Sequence, residues 1–234
     1  RDRAASVRFP GRAYVLPASG DQRLSMVTVN TDRVDLTLLK ISDRNLIRAM
    51  SEDMFATPLD SWRASYFSDS MAREIWKGSA AVAKPVGRDS QNQELTTSLA
   101  IPAEAGPLDP GIYIVEAGVD GDTPSEKGLA TQWFVISDFG ISTYSGSDGL
   151  TVVVRSLRDA SAKAGADVAL VSRSNEVLAR AETDAQGVAH FAPGLALGKD
   201  GAAPAMVTVT DWQGEGAERA PRDMAFLSLT DPEF

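Results

Sequence analysis

Ala130-Thr131-Gln132-Trp133-Phe134-Val135-Ile136-Ser137-Asp138-Phe139-Gly140-Ile141-Ser142-Thr143-Tyr144-Ser145 decides the fold. Thr131, Trp133 and Val135 alternate with Gln132, Phe134 and Ile136, so an extended run carries bulk on both faces. That pattern predicts a strand buried from both sides. Ser137-Asp138 is the only polar break before a second run starts near Ile141. The stretch reads as the last strand of one β-sandwich entering, through a very short joint, the first strand of another. Such a joint leaves little room for swing, so the two modules are expected to keep a nearly fixed relation. The division gives residues 1–137 and 138–234, each close to the ~100 residues of a small compact domain.

Upstream, Arg12 to Leu16, Ser25 to Thr31 and Val34 to Ile41 are strand-like. In the last of these Leu36 and Leu38 alternate with Asp35 and Thr37, the period of a half-buried strand. Residues 17–22, rich in Pro, Gly and Ser, form a turn. Asp43 reads as the N-cap of one short amphipathic helix carrying Leu46, Ile47 and Met50. Residues 52–74 show no regular period and read as a long insertion anchored by Trp62, Tyr66 and Phe67. Strand patterns return at 75–80, 95–101, 111–117 and 131–136.

Downstream, strands are expected at 150–157, 167–171, 177–181, 188–191, 206–210 and 224–229. Turn residues separate them at 165–166, 174–175, 184–187 and 198–201. Short strands at that spacing, with no helical period, describe a sandwich. The fold class is therefore all-β: two consecutive antiparallel β-sandwiches, Ig-like or fibronectin-like, the first with a short helix and a long insertion.

The net charge of −9 excludes the basic surface that nucleic acid demands. Residues 1–137 hold 15 basic and 18 acidic residues and residues 138–234 hold 8 and 14, so neither half hides a basic domain. The absence of cysteine removes disulfides, thiolate nucleophiles and Cys-ligated zinc. No apolar run reaches the ~20 residues of a membrane span, so no membrane contact is expected of this stretch. Beginning at Arg1 with no initiator Met or signal peptide, the chain reads as a mature product or an excised piece.

Several segments together resemble the macroglobulin-like (MG) domains of the bacterial α2-macroglobulin family, specifically its MG2-MG3 region. They are 130–138 followed by 140–157, then 164–170 with 175–178 and Thr183-Asp184-Ala185-Gln186-Gly187 ahead of Phe191, then 108–117 and 225–230. The resemblance implies two macroglobulin-like β-sandwich domains from a larger periplasmic, lipid-anchored envelope protein that traps attacking endopeptidases. It implies as partners the other macroglobulin-like domains of the parent, proteases through the parent, and a peptidoglycan synthase. The thioester of many family members needs a Cys beside a Glu-Gln pair. This chain has no Cys, and Glu215-Gly216-Ala217-Glu218 is no substitute. An Ig-like stalk or adhesin module binding surface glycans or proteins is the alternative.

Candidate chemistry is sparse. His190, the one histidine, alternates with Ala189 and Phe191 in a strand and reads as a surface or packing residue. A metal site would want more nitrogen ligands, and no sharp strand-to-helix nucleophile turn accompanies it. Residues 145–149 and 118–122 look like calcium loops but lack the spaced oxygen ligands of an EF-hand, so they read as hairpin turns. Trp76 and Trp133 read as core or interdomain anchors, and Trp212, in a polar loop over 211–222, as the best exposed contact. No catalytic, cofactor-binding or metal residue is assigned, no cofactor is expected, and the chain reads as a non-enzyme.

Overall fold

The computed structural model describes residues 2–230 except 12, 19, 21, 53, 56, 58, 85–89, 101–106 and 120–128. The first half runs β1 (Ser6–Arg8), β2 (Ala13–Leu16), β3 (Arg23–Val29), β4 (Arg33–Ile41), α1 (Asp43–Ser51), α2 (Ser61–Ser70), β5 (Ala72–Ala81), β6 (Leu95–Ala100), β7 (Gly111–Val119) and β8 (Ala130–Ile136). The second runs β9 (Phe139–Gly146), β10 (Gly149–Ser156), β11 (Asp167–Ser172), β12 (Val177–Glu182), β13 (Val188–Phe191), β14 (Pro204–Gln213) and β15 (Ala220–Ser228).

Strand pairing sorts these into two sandwiches. A three-stranded sheet β1-β3-β6 faces a five-stranded sheet β2-β8-β7-β4-β5, and a three-stranded sheet β13-β10-β9 faces a four-stranded sheet β12-β11-β14-β15. Nearly all the described pairings are antiparallel. The exception corrects the expected purely antiparallel sheet: β2 lies parallel to β8, with Val15 opposite Val135. A parallel neighbour has to come from far along the chain, and β2 and β8 carry no local sign of each other.

Each sandwich has its own inner core. In the first, Leu36, Leu38, Tyr113, Val115, Phe134 and Ile136 meet Leu24, Met26 and Leu99. In the second, Val152, Val154 and Phe191 meet Val168, Leu170, Val207 and Val209. Gly149 closes the β9–β10 hairpin with φ +121, and a Cβ there would stand 2.0 Å from the Phe191 carbonyl oxygen. Only glycine fits that close approach.

The helices depart from the expectation. Ser42, not Asp43, takes the N-cap position of α1, and no side chain caps it; Asp43 is instead a first-turn acid, where it suits the helix dipole. Residues 52–74 are not irregular, because α2 occupies 61–70. Asp60 caps it, its carboxylate accepting from the Arg63 amide at 2.8 Å. The helix escapes detection because only Ala64 and Phe67 are buried and four of its ten residues are serine. Trp62 is no anchor: it is 73% exposed and stacks on Tyr66. The strand β1 also went unforeseen, and the expected end of β6 at Ile101 lies outside the described residues.

Candidate functional site

Towards the joint, the outer face of the five-stranded sheet is apolar like its inner face. Leu39 and Ile41 of β4, Ile112 and Ile114 of β7, and Trp133 and Val135 of β8 point away from the first core. The outer face of β11, β14 and β15 does the same with Ala169, Val171, Ala205, Met206 and Phe226. These surfaces, together with Leu46, Ile47, Phe55, Leu59 and Phe67 from the helical layer, form a third apolar cluster that spans both sandwiches. Within it β15 of the second sandwich lies directly against β7 and β8 of the first, with the helical residues packed beside them.

Phe55, in the turn between α1 and α2, is the wedge of this cluster. Its ring meets Trp133 of the first sandwich edge-on at 4.9 Å and Phe226 of the second edge-on at 5.5 Å. Edge-to-face pairs at such separations are attractive beyond the area they bury. Phe67 adds a second edge contact to Trp133, at 5.3 Å.

The joint itself is fixed by hydrogen bonds. The Ser137 amide donates to the Leu16 carbonyl at 3.1 Å. The Ser137 hydroxyl donates to Asp223 Oδ1 at 2.8 Å and accepts from the Phe139 amide at 3.0 Å. The Asp138 amide donates to Asp223 Oδ2 at 3.0 Å. One carboxylate of β15 thus holds both joint residues. The Asp138 carboxylate reaches across the joint: Oδ1 accepts from the Ala18 amide at 3.1 Å and Oδ2 from Arg158 at 3.3 Å. Ser137 is wholly buried and Asp223 nearly so. Burial pushes the Asp223 carboxyl up, the Ser137 hydroxyl and the Asp138 and Met224 amides pull it down, and the Asp138 charge pushes it up.

The sequence located the joint but not Asp223, which falls between the polar loop expected over 211–222 and the strand expected from 224. That loop is shorter than expected. β14 runs to Gln213 and β15 resumes at Ala220, so Trp212 is a strand residue. Its Nε1 donates to Asp167 Oδ2 at 3.0 Å and Arg219 lies over its ring at 4.6 Å. Trp133 is wholly buried at the joint, as expected, and Trp76 is half-buried at the first core's edge.

His190 lies on the exposed face of β13. Its Nδ1 contacts the Thr151 hydroxyl at 3.2 Å and its Nε2 the Asp148 carbonyl at 3.0 Å, an arrangement that offers no carboxylate to orient a general base. Residues 146–149 close a strand hairpin; of 118–122, residues 120–122 lie outside the described residues. Among the described residues no group of three or more His, Asp or Glu is placed to hold a metal, and no helix is long and apolar enough to cross a membrane.

Residues 136–234 match the family model of the bacterial alpha-2-macroglobulin MG3 domain. An alpha-2-macroglobulin of Xylella fastidiosa (strain 9a5c) is 25% identical over 182 residues, covering 77% of this chain and 11% of the relative. One of Pasteurella multocida (strain Pm70) is 25% identical over 229 residues, covering 87% and 11%. This chain therefore spans about a tenth of the curated relatives it matches. Among solved structures, native alpha-2-macroglobulin from Escherichia coli spanning domains NIE-MG1 superimposes with a TM-score of 0.71 at 20% identity, over 96% of this chain and 97% of that one. The E. coli structure spanning MG0-NIE-MG1 gives 0.66 at 21% identity, over 98% and 66%. The second sandwich, from 138, lies within the stretch that matches the MG3 family model. Residues 136–234 are thus similar to the bacterial alpha-2-macroglobulin MG3 domain, and the chain as a whole shares the fold of the E. coli alpha-2-macroglobulin region.

Proposed function

We propose that this chain is a macroglobulin-domain region, a non-catalytic scaffold segment of an envelope protein that traps attacking endopeptidases. Its two domains are 1–137 and 138–234, with no catalytic, cofactor or metal residue in either. The division is supported by the sheet pairings, which change sandwich at Ser137-Asp138, and by the family match, which begins at 136. The partners are further macroglobulin-like domains of the parent chain, proteases engaged through the parent, and a peptidoglycan synthase; the location is the periplasm. Joined domains in the E. coli structures support the first of these.

The observation that carries the reading is the apolar cluster running through the joint from one sandwich to the other. A trap that rearranges after cleavage needs segments that move as bodies, and two sandwiches with a common core transmit displacement instead of absorbing it. The test is a protease-protection assay on the parent protein with and without residues 1–234. Loss of trapping on deletion, with the remaining domains still folded, supports the scaffold role; undiminished trapping would end it.

A further inference from the structure

The first sandwich carries an open strand edge with a recess on each face. β5 is the last strand of its sheet, and among the described residues its outer edge has no ladder partner. The register against β4 slips between Leu38 and Leu39, after which residues 76–81 run straight, Trp76 opposite Leu38 and Ala81 opposite Arg33. On the inner side Trp76, Ala80, Leu99 and Ala100, with Lys77 and Ser79 at the strand edge, line a shallow recess of about 450 Å3 of mixed polar and apolar surface. Its Trp76 ring folds flat over Gly78, where a Cβ would stand 2.2 Å from the indole. On the outer side, beside α2, an open groove of about 670 Å3 is lined, among the described residues, by Asp35, Asp69, Glu74 and Glu116 against the single cation Lys77. Arg33 stands at the rim, bonded to the Ser79 hydroxyl.

Glu116 is the centre of that groove. Thr37 separates it from Lys77 across the sheet, and among the described residues its Oε1 is buried with no hydrogen-bond partner. Burial, reinforced by Glu74, pushes its carboxyl up to about 7. A buried acceptor without a donor is a site at which an incoming donor has something to satisfy. The described carboxylates are not spaced to share a metal ion, so an organic cation on a flexible stem is the donor that fits.

We propose that the edge of β5 at residues 76–81 is a docking strand for an extended basic segment of another protein. The segment adds to the sheet through its backbone. Its alternate side chains then fall to opposite faces, lysine or arginine into the acidic groove and small apolar residues into the Trp76 recess. The site lies at the end of the sheet away from the joint, since Leu39 and Ile41, beyond the register slip, enter the shared core. Among the described residues nothing pairs with that edge, and the inference does not depend on the protease-trap reading.

The test titrates the 234-residue chain with an acetylated, amidated hexapeptide of alternating lysine and valine, by calorimetry and amide exchange. Binding should protect amides of residues 76–81 and weaken as salt rises. Glutamate in place of lysine, or N-methylation of alternate peptide amides, should each weaken it at least about tenfold. Glu116→Gln should weaken it about tenfold while melting no lower than the parent protein. Equal affinity for the lysine and glutamate peptides, indifference to N-methylation, or an unchanged Glu116→Gln would overturn the proposal. So would self-association that protects residues 76–81 without peptide, which would assign the edge to a second copy.

Discussion

Replacing Phe55 by alanine separates the two sandwiches energetically without touching either inner core. Phe55 is 6% exposed and its ring is gripped between Trp133 and Phe226. Removing a buried phenylalanine costs about 3–5 kcal/mol, through lost burial and the cavity left behind. That is a large share of the ~5–15 kcal/mol that holds a domain folded. The loss falls on coupling, because Leu36, Tyr113 and Phe134 on one side and Val152, Val168 and Val207 on the other keep their contacts. Calorimetry of the unaltered 234-residue chain should show one cooperative transition, and Phe55→Ala should split it into two. Leu36→Ala, a deletion of about 2–5 kcal/mol inside one core, should lower the melting temperature without the split. The double variant Phe55→Ala with Phe226→Ala should fall short of the sum of the singles by about 0.5–3 kcal/mol, as expected of residues in contact. A loss below ~1 kcal/mol for Phe55→Ala, or an unaltered chain already melting in two independent steps, would refute the reasoning.

Other outcomes follow from the same contacts. Asp223→Ala strands the buried Ser137 hydroxyl and the Asp138 amide and should cost about 1–3 kcal/mol for each donor left unpaired, read by urea unfolding; Asp223→Asn, which keeps one acceptor, should cost less. Glu116 gives a pH signature of defined sign. Its folded carboxyl titrates near 7 and its ordinary value is 4.5, so the folded state holds the extra proton between them. Its contribution to stability is fully present below 4.5 and is lost as the pH rises to about 7. Glu116→Gln should flatten that slope in urea titrations, and an unchanged slope would contradict it. Gly149→Ala, forced against the Phe191 carbonyl at positive φ, should destabilise by about 1–3 kcal/mol or more in the same assay.

The two-sided strand was legible because β8 shows bulk at consecutive positions, and the structure divides it as that pattern requires: Phe134 and Ile136 inward, Trp133 and Val135 to the joint. Asp167-Val168-Ala169-Leu170-Val171 carries the same pattern. Val168 and Leu170 face the second core while Ala169 and Val171 face the first sandwich. An unbroken apolar run in a sheet is a strand with no solvent side, and here it marks the interface. What stayed hidden was of two kinds. α2 lacks a helical stripe because a polar groove and exposed solvent flank it, leaving Asp60 as its one local signal. Asp223 and the parallel β2–β8 pairing depend on partners more than 80 residues away, and no local pattern encodes them.

The fixed relation between the sandwiches is most directly measured as a distance distribution between spin labels. The chain has no cysteine, so Thr96→Cys and Ser145→Cys, both exposed, place one label in each sandwich without background. The shared core and the Asp138–Asp223 latch predict a single narrow distribution that Phe55→Ala with Asp223→Ala broadens. A broad or multiple distribution in the unaltered protein would contradict the account.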